Sequence, residues 1–335
     1  MIEKIKENWF VALVAVALIG SVAYYAIDTN TGKLPGKQVD GKDVVTTIGD
    51  TDYFADDLYK ELYGDQASST SAGTAVLFDL FEKAVVDQSV KLTDSMKLQI
   101  ANAVTATKQN YSGQEAQLLA ALQAAGYASL NDLEAYYTHY FKLLTLIEKE
   151  YLADFENLFT PIYKEHAPRT VSHILVKVSD TKTWVLTDKE QERMNNVDKA
   201  LSEGTDFAEV AKKYSEDGSA SAGGYLGYMD KLNTVSYVQE FIDAGCKAEK
   251  GVVTEWFKSQ YGYHKILVNE TDMKALMDNK DIQSSIFSSI EAYYPDLNAQ
   301  IIWKTSKDLN VQFANEDIEK AIKEYLGIKE EGATK

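Results

Sequence analysis

The sequence predicts an α+β protein, with one short sheet-forming segment between helical stretches and a single apolar helix ahead of them. Three observations carry that reading. Val171-Ser172-His173-Ile174-Leu175-Val176 and Gln260-Tyr261-Gly262-Tyr263-His264-Lys265-Ile266-Leu267-Val268 are largely apolar runs of strand length, each with a histidine. Helical spacing of apolar residues fills much of 74–166 and returns after 281. Trp9 to Ile27 is an unbroken stretch of nineteen uncharged, mostly apolar positions, about the length a helix needs to cross a bilayer.

The front of the chain reads as a membrane element and its tether. Lys4 and Lys6 in the tail 1–8 favour a cytoplasmic tail, so 9–27 is expected to be a transmembrane anchor with the bulk of the chain outside. A cleavable signal peptide is the competing reading, with Ser21-Val22-Ala23 as its small-residue site. The apolar run continues through Tyr24 and Tyr25 as an interfacial aromatic belt would, which favours the anchor. No cysteine follows the run, so an anchor through a lipidated cysteine is not expected. Residues 28–43, with Gly, Lys, Asp and Pro and few apolar positions, form a linker.

Residues 44–167 make an N-terminal helical domain. It opens with a small strand at Val44–Ile48, a Gly49-Asp50 turn and a helix start near Tyr53-Phe54 that runs on through Ala55 to Leu62. This opening resembles that of PrsA- and SurA-type chaperones. The clearest helix carries Leu130, Leu133, Tyr137, Tyr140, Leu144, Ile147 and Tyr151 on one stripe, and Ser129-x-x-Asp132 starts it as a capping box with Asp in place of Glu. The stripe reads first as core. Its tyrosines, with Tyr136 beside them, also suit an adaptable peptide-binding surface, because tyrosine offers a large apolar face and a polar tip.

Ala167-Pro168-Arg169-Thr170 marks the border of a second domain, 168–270, since proline pushes its predecessor out of the helical region. After the first strand come a polar connection to Asp188, a charged helix from Asp188 to Ser202 that Gly204 ends, and a helical run from Asp206 toward Asp217. The loop Ala222-Gly223-Gly224-Tyr225-Leu226-Gly227-Tyr228 follows. Its glycine pair calls for positive φ or close packing; a phosphate cradle would need a following helix and a Lys-Ser/Thr pair.

Taken together, the "HILV" strand, "DFAEVAKKYSED", "GGYLG" and "YGYHKILV" resemble the parvulin family of peptidyl-prolyl isomerases. The resemblance implies an antiparallel sheet with surrounding helices. It brings His173 and His264 together on one sheet face with Asp217 as the third polar group, and assigns the catalytic role to these three. It also places Leu226, Tyr237 and Phe241 along an apolar slot for the proline ring, with Tyr237 standing where methionine is common. Tyr261 joins the substrate-binding set at a position that relatives fill with Ser or an aromatic, where packing is the simpler role. Asp217 would serve equally as the cap of the turn Asp217-Gly218-Ser219. Phosphoserine-directed relatives carry an arginine cluster after the first strand; this chain offers only Lys177 and Lys182, so no preference for phosphorylated chains is expected.

From 271 to 326 the chain returns to helices, Asp281–Tyr294 and Asp296–Asp308, then a strand and turn over Leu309–Ile318 and a last helix to Leu326, before the tail 327–335. This resembles the end of PrsA-type proteins, and implies that the C-terminal segment packs on the N-terminal domain, with the isomerase domain inserted in one discontinuous helical domain. A balance of 34 basic to 51 acidic residues, net −17, argues against nucleic acid or an anionic membrane surface as partner. The single cysteine, Cys246, excludes an internal disulfide framework, and the four histidines have no metal-ligand spacing, so neither metal nor cofactor is expected. The resemblance implies a membrane-tethered, extracytoplasmic peptidyl-prolyl isomerase and foldase. Its partners would be unfolded or partly folded exported polypeptides containing X-Pro bonds, with a homodimer left open. The alternative is a holdase chaperone whose isomerase domain is weak or inactive.

Overall fold

The computed structural model describes residues 38–40, 42–48, 51–54, 73–313 and 316–328. The expected anchor 9–27, most of the linker and the helical run 55–62 lie outside the described residues. Among the described residues no helix is long and apolar enough to cross a membrane. The chain falls into two compact units, one made of residues up to Glu150 together with those from Asp296 onward, the other of Tyr151–Pro295.

In the first unit the described strands are β1 (Gln38–Val39), β2 (Lys42–Ile48), β3 (Thr51–Phe54) and, from the far end of the chain, β8 (Gln312–Phe313). β2 pairs antiparallel with β3, and on its other edge Thr46 faces Phe313. The helix start expected at Tyr53-Phe54 is therefore a hairpin strand. The reason is partly local, since Thr47 donates to its register partner Asp52 at 2.6 Å, and partly remote, since the sheet is completed by β8. α1 (Gly73–Ser89) lies against β2 and against α11 (Leu297–Asp308) and α12 (Glu316–Tyr325). Phe81 stacks near both Trp303 and Phe313.

α2 (Asp94–Asn110), α3 (Glu115–Ala124) and most of α4 (Leu133–Ala153) complete this unit. Ser129 and Asp132 form the expected reciprocal capping box ahead of α4. The long stripe on α4 is not one buried face. Leu133, Ile147 and Tyr151 are buried, whereas Tyr140 and Leu144 in the middle are 45% and 39% exposed. Spacing of three and four places residues on one side of a helix but does not say that another element covers all of it.

The second unit begins at the end of α4 and continues through α5 (Phe155–His166). Its sheet has the order β5-β4-β7-β6, made of β4 (Arg169–Lys177), β5 (Tyr225–Met229), β6 (Phe257–Ser259) and β7 (Gly262–Glu270). β4 is central and buried over all but its last residue, which explains its near-continuous apolar sequence: a strand covered on both faces does not alternate. On one face Ile174 packs with Val197 of α6 (Asp188–Ser202) and with Phe207, Val210 and Ala211 of α7 (Phe207–Tyr214). On the other, Val171, Ile266 and Val268 pack with Phe241 and Ile242 of α8 (Gln239–Lys247). Buried Arg169 fastens α8 to this sheet by donating to the carbonyls of Gly245 and Ala248 at its C-terminal end, where unpaired carbonyls attract a cation.

The chain leaves the sheet through α9 (Met273–Asp278), which the sequence reading did not anticipate, and a 3-10 turn over 280–282. α10 (Gln283–Tyr293) follows. The helix expected from Asp281 therefore starts two residues later, because Asn279 caps the 3-10 turn ahead of it.

Candidate active site

The site is assembled on the α8 face of the sheet. Along β4 and β7, His173 sits opposite Ile266 and Leu175 opposite His264. His173 and His264 are thus diagonal neighbours on one face, within reach of each other. Their rings lie 5.7 Å apart and nearly parallel, and both are buried. Phe257, directly opposite His264 on β6, continues the stack at 5.3 Å. Phe241 of α8 presents itself edge-on to His173 and His264 at 5.5 and 5.7 Å.

Asp217 reaches this face because the segment before it is tied along β4. Glu216 N–H donates to the Leu175 carbonyl, and the Ser215 hydroxyl accepts from Leu175 N–H. Asp217 caps the 3-10 turn 218–222, accepting from both the backbone and the hydroxyl of Ser219, while the same Oδ2 lies 3.1 Å from His173 Nε2. The capping role and the place beside the histidine are compatible: one carboxylate oxygen does both. The loop that follows needs its glycines. Gly224 has φ of +77° and its carbonyl accepts from His173 N–H, and a Cβ there would stand 2.1 Å from the His173 carbonyl oxygen. Only glycine permits that approach.

Burial pushes the pKa of both histidines down. His264 falls to about 4, with the neighbouring His173 adding to the effect, and the charge of Asp217 offsets only part of it. His173 is lowered by burial in spite of Asp217. Burial also works to raise the Asp217 carboxyl, but the hydrogen bonds from Ser219 and the contact with His173 outweigh it and hold it below the usual range. At neutral pH the site therefore has two uncharged imidazoles and one carboxylate. The floor is polar enough to hydrogen-bond and carries no positive charge.

Leu226 and Tyr237 pack with Phe241 at the mouth of this floor. Tyr261 does not join them: it sits on the β6–β7 turn with 57% of its surface exposed, so the packing role expected of it is absent. Ser259 is the residue that sequence reasoning missed. It is buried, and its hydroxyl lies 2.6 Å from His264 Nε2, which orients that ring. The signal was available in the hairpin. With Ser259 opposite Gly262, residues 257, 259 and 264 share a face.

Comparison with known proteins places a family domain over this part of the chain. Residues 162–272 match the family model described as the PPIC-type PPIase domain. The chain carries a parvulin-type peptidyl-prolyl cis-trans isomerase domain. Over most of its length it is PrsA-like: it is 27% identical to the foldase protein PrsA of Geobacillus kaustophilus over 290 residues, spanning 85% of this chain and 91% of that protein. A shorter stretch of 99 residues, 29% of this chain and 22% of the other, is 41% identical to the chaperone SurA of Pseudomonas putida. Among solved structures, PrsA from Lactococcus lactis matches with a TM-score of 0.50 at 15% identity, over 85% of this chain and 99% of that one, which speaks for the fold.

Proposed function

We propose that this chain is a membrane-tethered, extracytoplasmic foldase that isomerises X-Pro bonds in exported polypeptides while they are unfolded or partly folded, with His173, Asp217 and His264 as its catalytic set. The observation that carries this reading is the pairing of neutral His173 and His264 over the edge of Phe241, inside a PPIC-type domain. The barrier to amide rotation, ~18–20 kcal/mol, comes from lost conjugation. An enclosed apolar slot with uncharged donors favours the twisted, less polar amide over the planar one. About 5–7 kcal/mol of such preference gives roughly 10⁴- to 10⁵-fold acceleration without any nucleophile. Leu226, Tyr237 and Phe241 are the surface for the proline ring, and Tyr261 is a rim position open to the flanking client chain. The N-terminal apolar segment serves as the tether, which replaces affinity by local concentration. Residues 168–270 act as a domain inserted between the N-terminal helices and the C-terminal segment.

The test is an X-Pro exchange assay on the chain from residue 28 onward. His173→Ala, Asp217→Ala and Ser259→Ala are each expected to lower kcat/KM by tenfold or more, on the order of 1.4 kcal/mol. Exchange at the wild-type rate in all three would overturn the site assignment.

A second reading, a holdase with a weak isomerase, is favoured by one feature: the exposed tyrosine face around Tyr140. It gains if aggregation of an unfolded client is suppressed while exchange is undetectable.

A further inference from the structure

On the isomerase reading above, Tyr237 stands at the mouth of the proline slot. Its ring lies over Phe241 with centroids 5.1 Å apart and planes 33° from parallel. Its hydroxyl donates to the Leu226 carbonyl at 3.2 Å, spanning from the start of α8 to β5. Phe241 has little other surface to offer, since the remaining rings around it are His173, His264 and Phe257, and it is 3% exposed. A proline ring held between two aromatic faces needs them about 7 Å apart, twice the ~3.5–4.0 Å contact distance between carbons. At 5.1 Å the space is taken.

The backbone at Tyr237 is held firmly, so only its side chain has freedom to leave. Asn233 clasps it from both sides, its amide donating to the Tyr237 carbonyl and its side-chain oxygen accepting from Tyr237 N–H, each at 2.7 Å. Asn233 in turn takes a left-handed backbone, φ +56°, and its N–H donates to Asp230. Asp230 is buried and accepts from the Tyr228 hydroxyl and from Leu232 N–H. This chain of bonds places the Tyr237 side chain at the mouth of the slot and leaves its reach to Leu226 as the bond that closes it.

We infer that Tyr237 is a specificity-determining latch over the proline slot: its hydroxyl bond to the Leu226 carbonyl keeps the ring on Phe241, and an X-Pro segment binds by breaking that bond and turning the ring aside. The Leu226 carbonyl is then available to the client backbone. Clients that make no such backbone contacts have nothing to offset the opened bond, so the latch selects for extended segments and against short or isolated proline units.

The test compares wild type with Tyr237→Phe, which keeps the ring and removes the bond. Affinity for an Ala-Pro tetrapeptide is read by shift titration and exchange by line-shape analysis, with the unfolding midpoint as a check on folding. Tyr237→Phe is expected to bind the tetrapeptide about two- to tenfold more tightly, the effect of one released neutral hydrogen bond. Equal or weaker binding by Tyr237→Phe overturns the latch. Wild-type protein that binds the peptide without exchanging it overturns the isomerase reading instead, and the affinity ratio still decides the latch.

Discussion

The two units of this protein treat their aromatic and polar side chains differently. In Tyr151–Pro295 the polar groups of the site are buried or half-buried and each is held by a hydrogen bond: His264 by Ser259, Asp217 by Ser219, the Tyr237 backbone by Asn233. In the helical unit the distinctive side chains are a run of aromatic neighbours, Tyr136, Tyr137, Tyr140 and Phe141, half-open to solvent. Fixed geometry suits a reaction in which the preference between planar and twisted amides must be built in beforehand. Adaptable aromatic surface suits contact with chains that have no single shape. The contrast teaches that one polypeptide can hold one set of rings in a fixed, buried floor and leave another set half open to solvent.

The largest test of that contrast is Gly224→Ala. Its Cβ would meet the His173 carbonyl at 2.1 Å in a backbone with φ of +77°. Overpacking and strain together are expected to cost the isomerase unit on the order of 3–5 kcal/mol and to abolish exchange. Differential scanning calorimetry should show the loss confined to one transition. A mutant that melts and exchanges like wild type would mean that the loop does not press on β4 as described.

The second test is pH. Because the folded-state pKa of His264 is lowered from 6.5 to about 4, the unfolded chain binds more protons in that window. Stability associated with this group is present above pH 6.5 and is lost as pH falls toward 4, by roughly 3 kcal/mol at the low end. His173, shifted in the same direction, adds to it. Chemical denaturation at pH 7 and pH 4.5 checks this, with His264→Gln expected to flatten the dependence; an equal slope in the variant would count against burial as its cause.

The smallest expected effect is that of Tyr140→Ser. With 45% of its surface exposed, its loss should change stability by less than about 0.5 kcal/mol and leave exchange untouched, while weakening suppression of aggregation of a denatured client. Full suppression by the variant would remove Tyr140 from the client surface.

The difference between the units also decided what could be read from sequence. The strands that hold His173 and His264 and the turn that holds Asp217 were legible because their character is local, as in the continuous apolar run of β4. Ser259 was not, because its role exists only once a tight hairpin sets it beside His264. The β3 strand was mistaken for a helix start because half its reason for being a sheet lies at Phe313. The exposed middle of the α4 stripe was hidden for a similar reason: periodicity gives a direction on a helix, and only tertiary neighbours say whether that direction is covered.

The pairing of Thr46 with Phe313 has a temporal side. Synthesis delivers residue 46 long before residue 313, so this edge of the first sheet stands unfilled until β8 has emerged. Tyr151–Pro295 is contiguous and needs no such wait. The catalytic half can thus mature while its own amino-terminal neighbour is still incomplete, and β8 acts as the closing stitch.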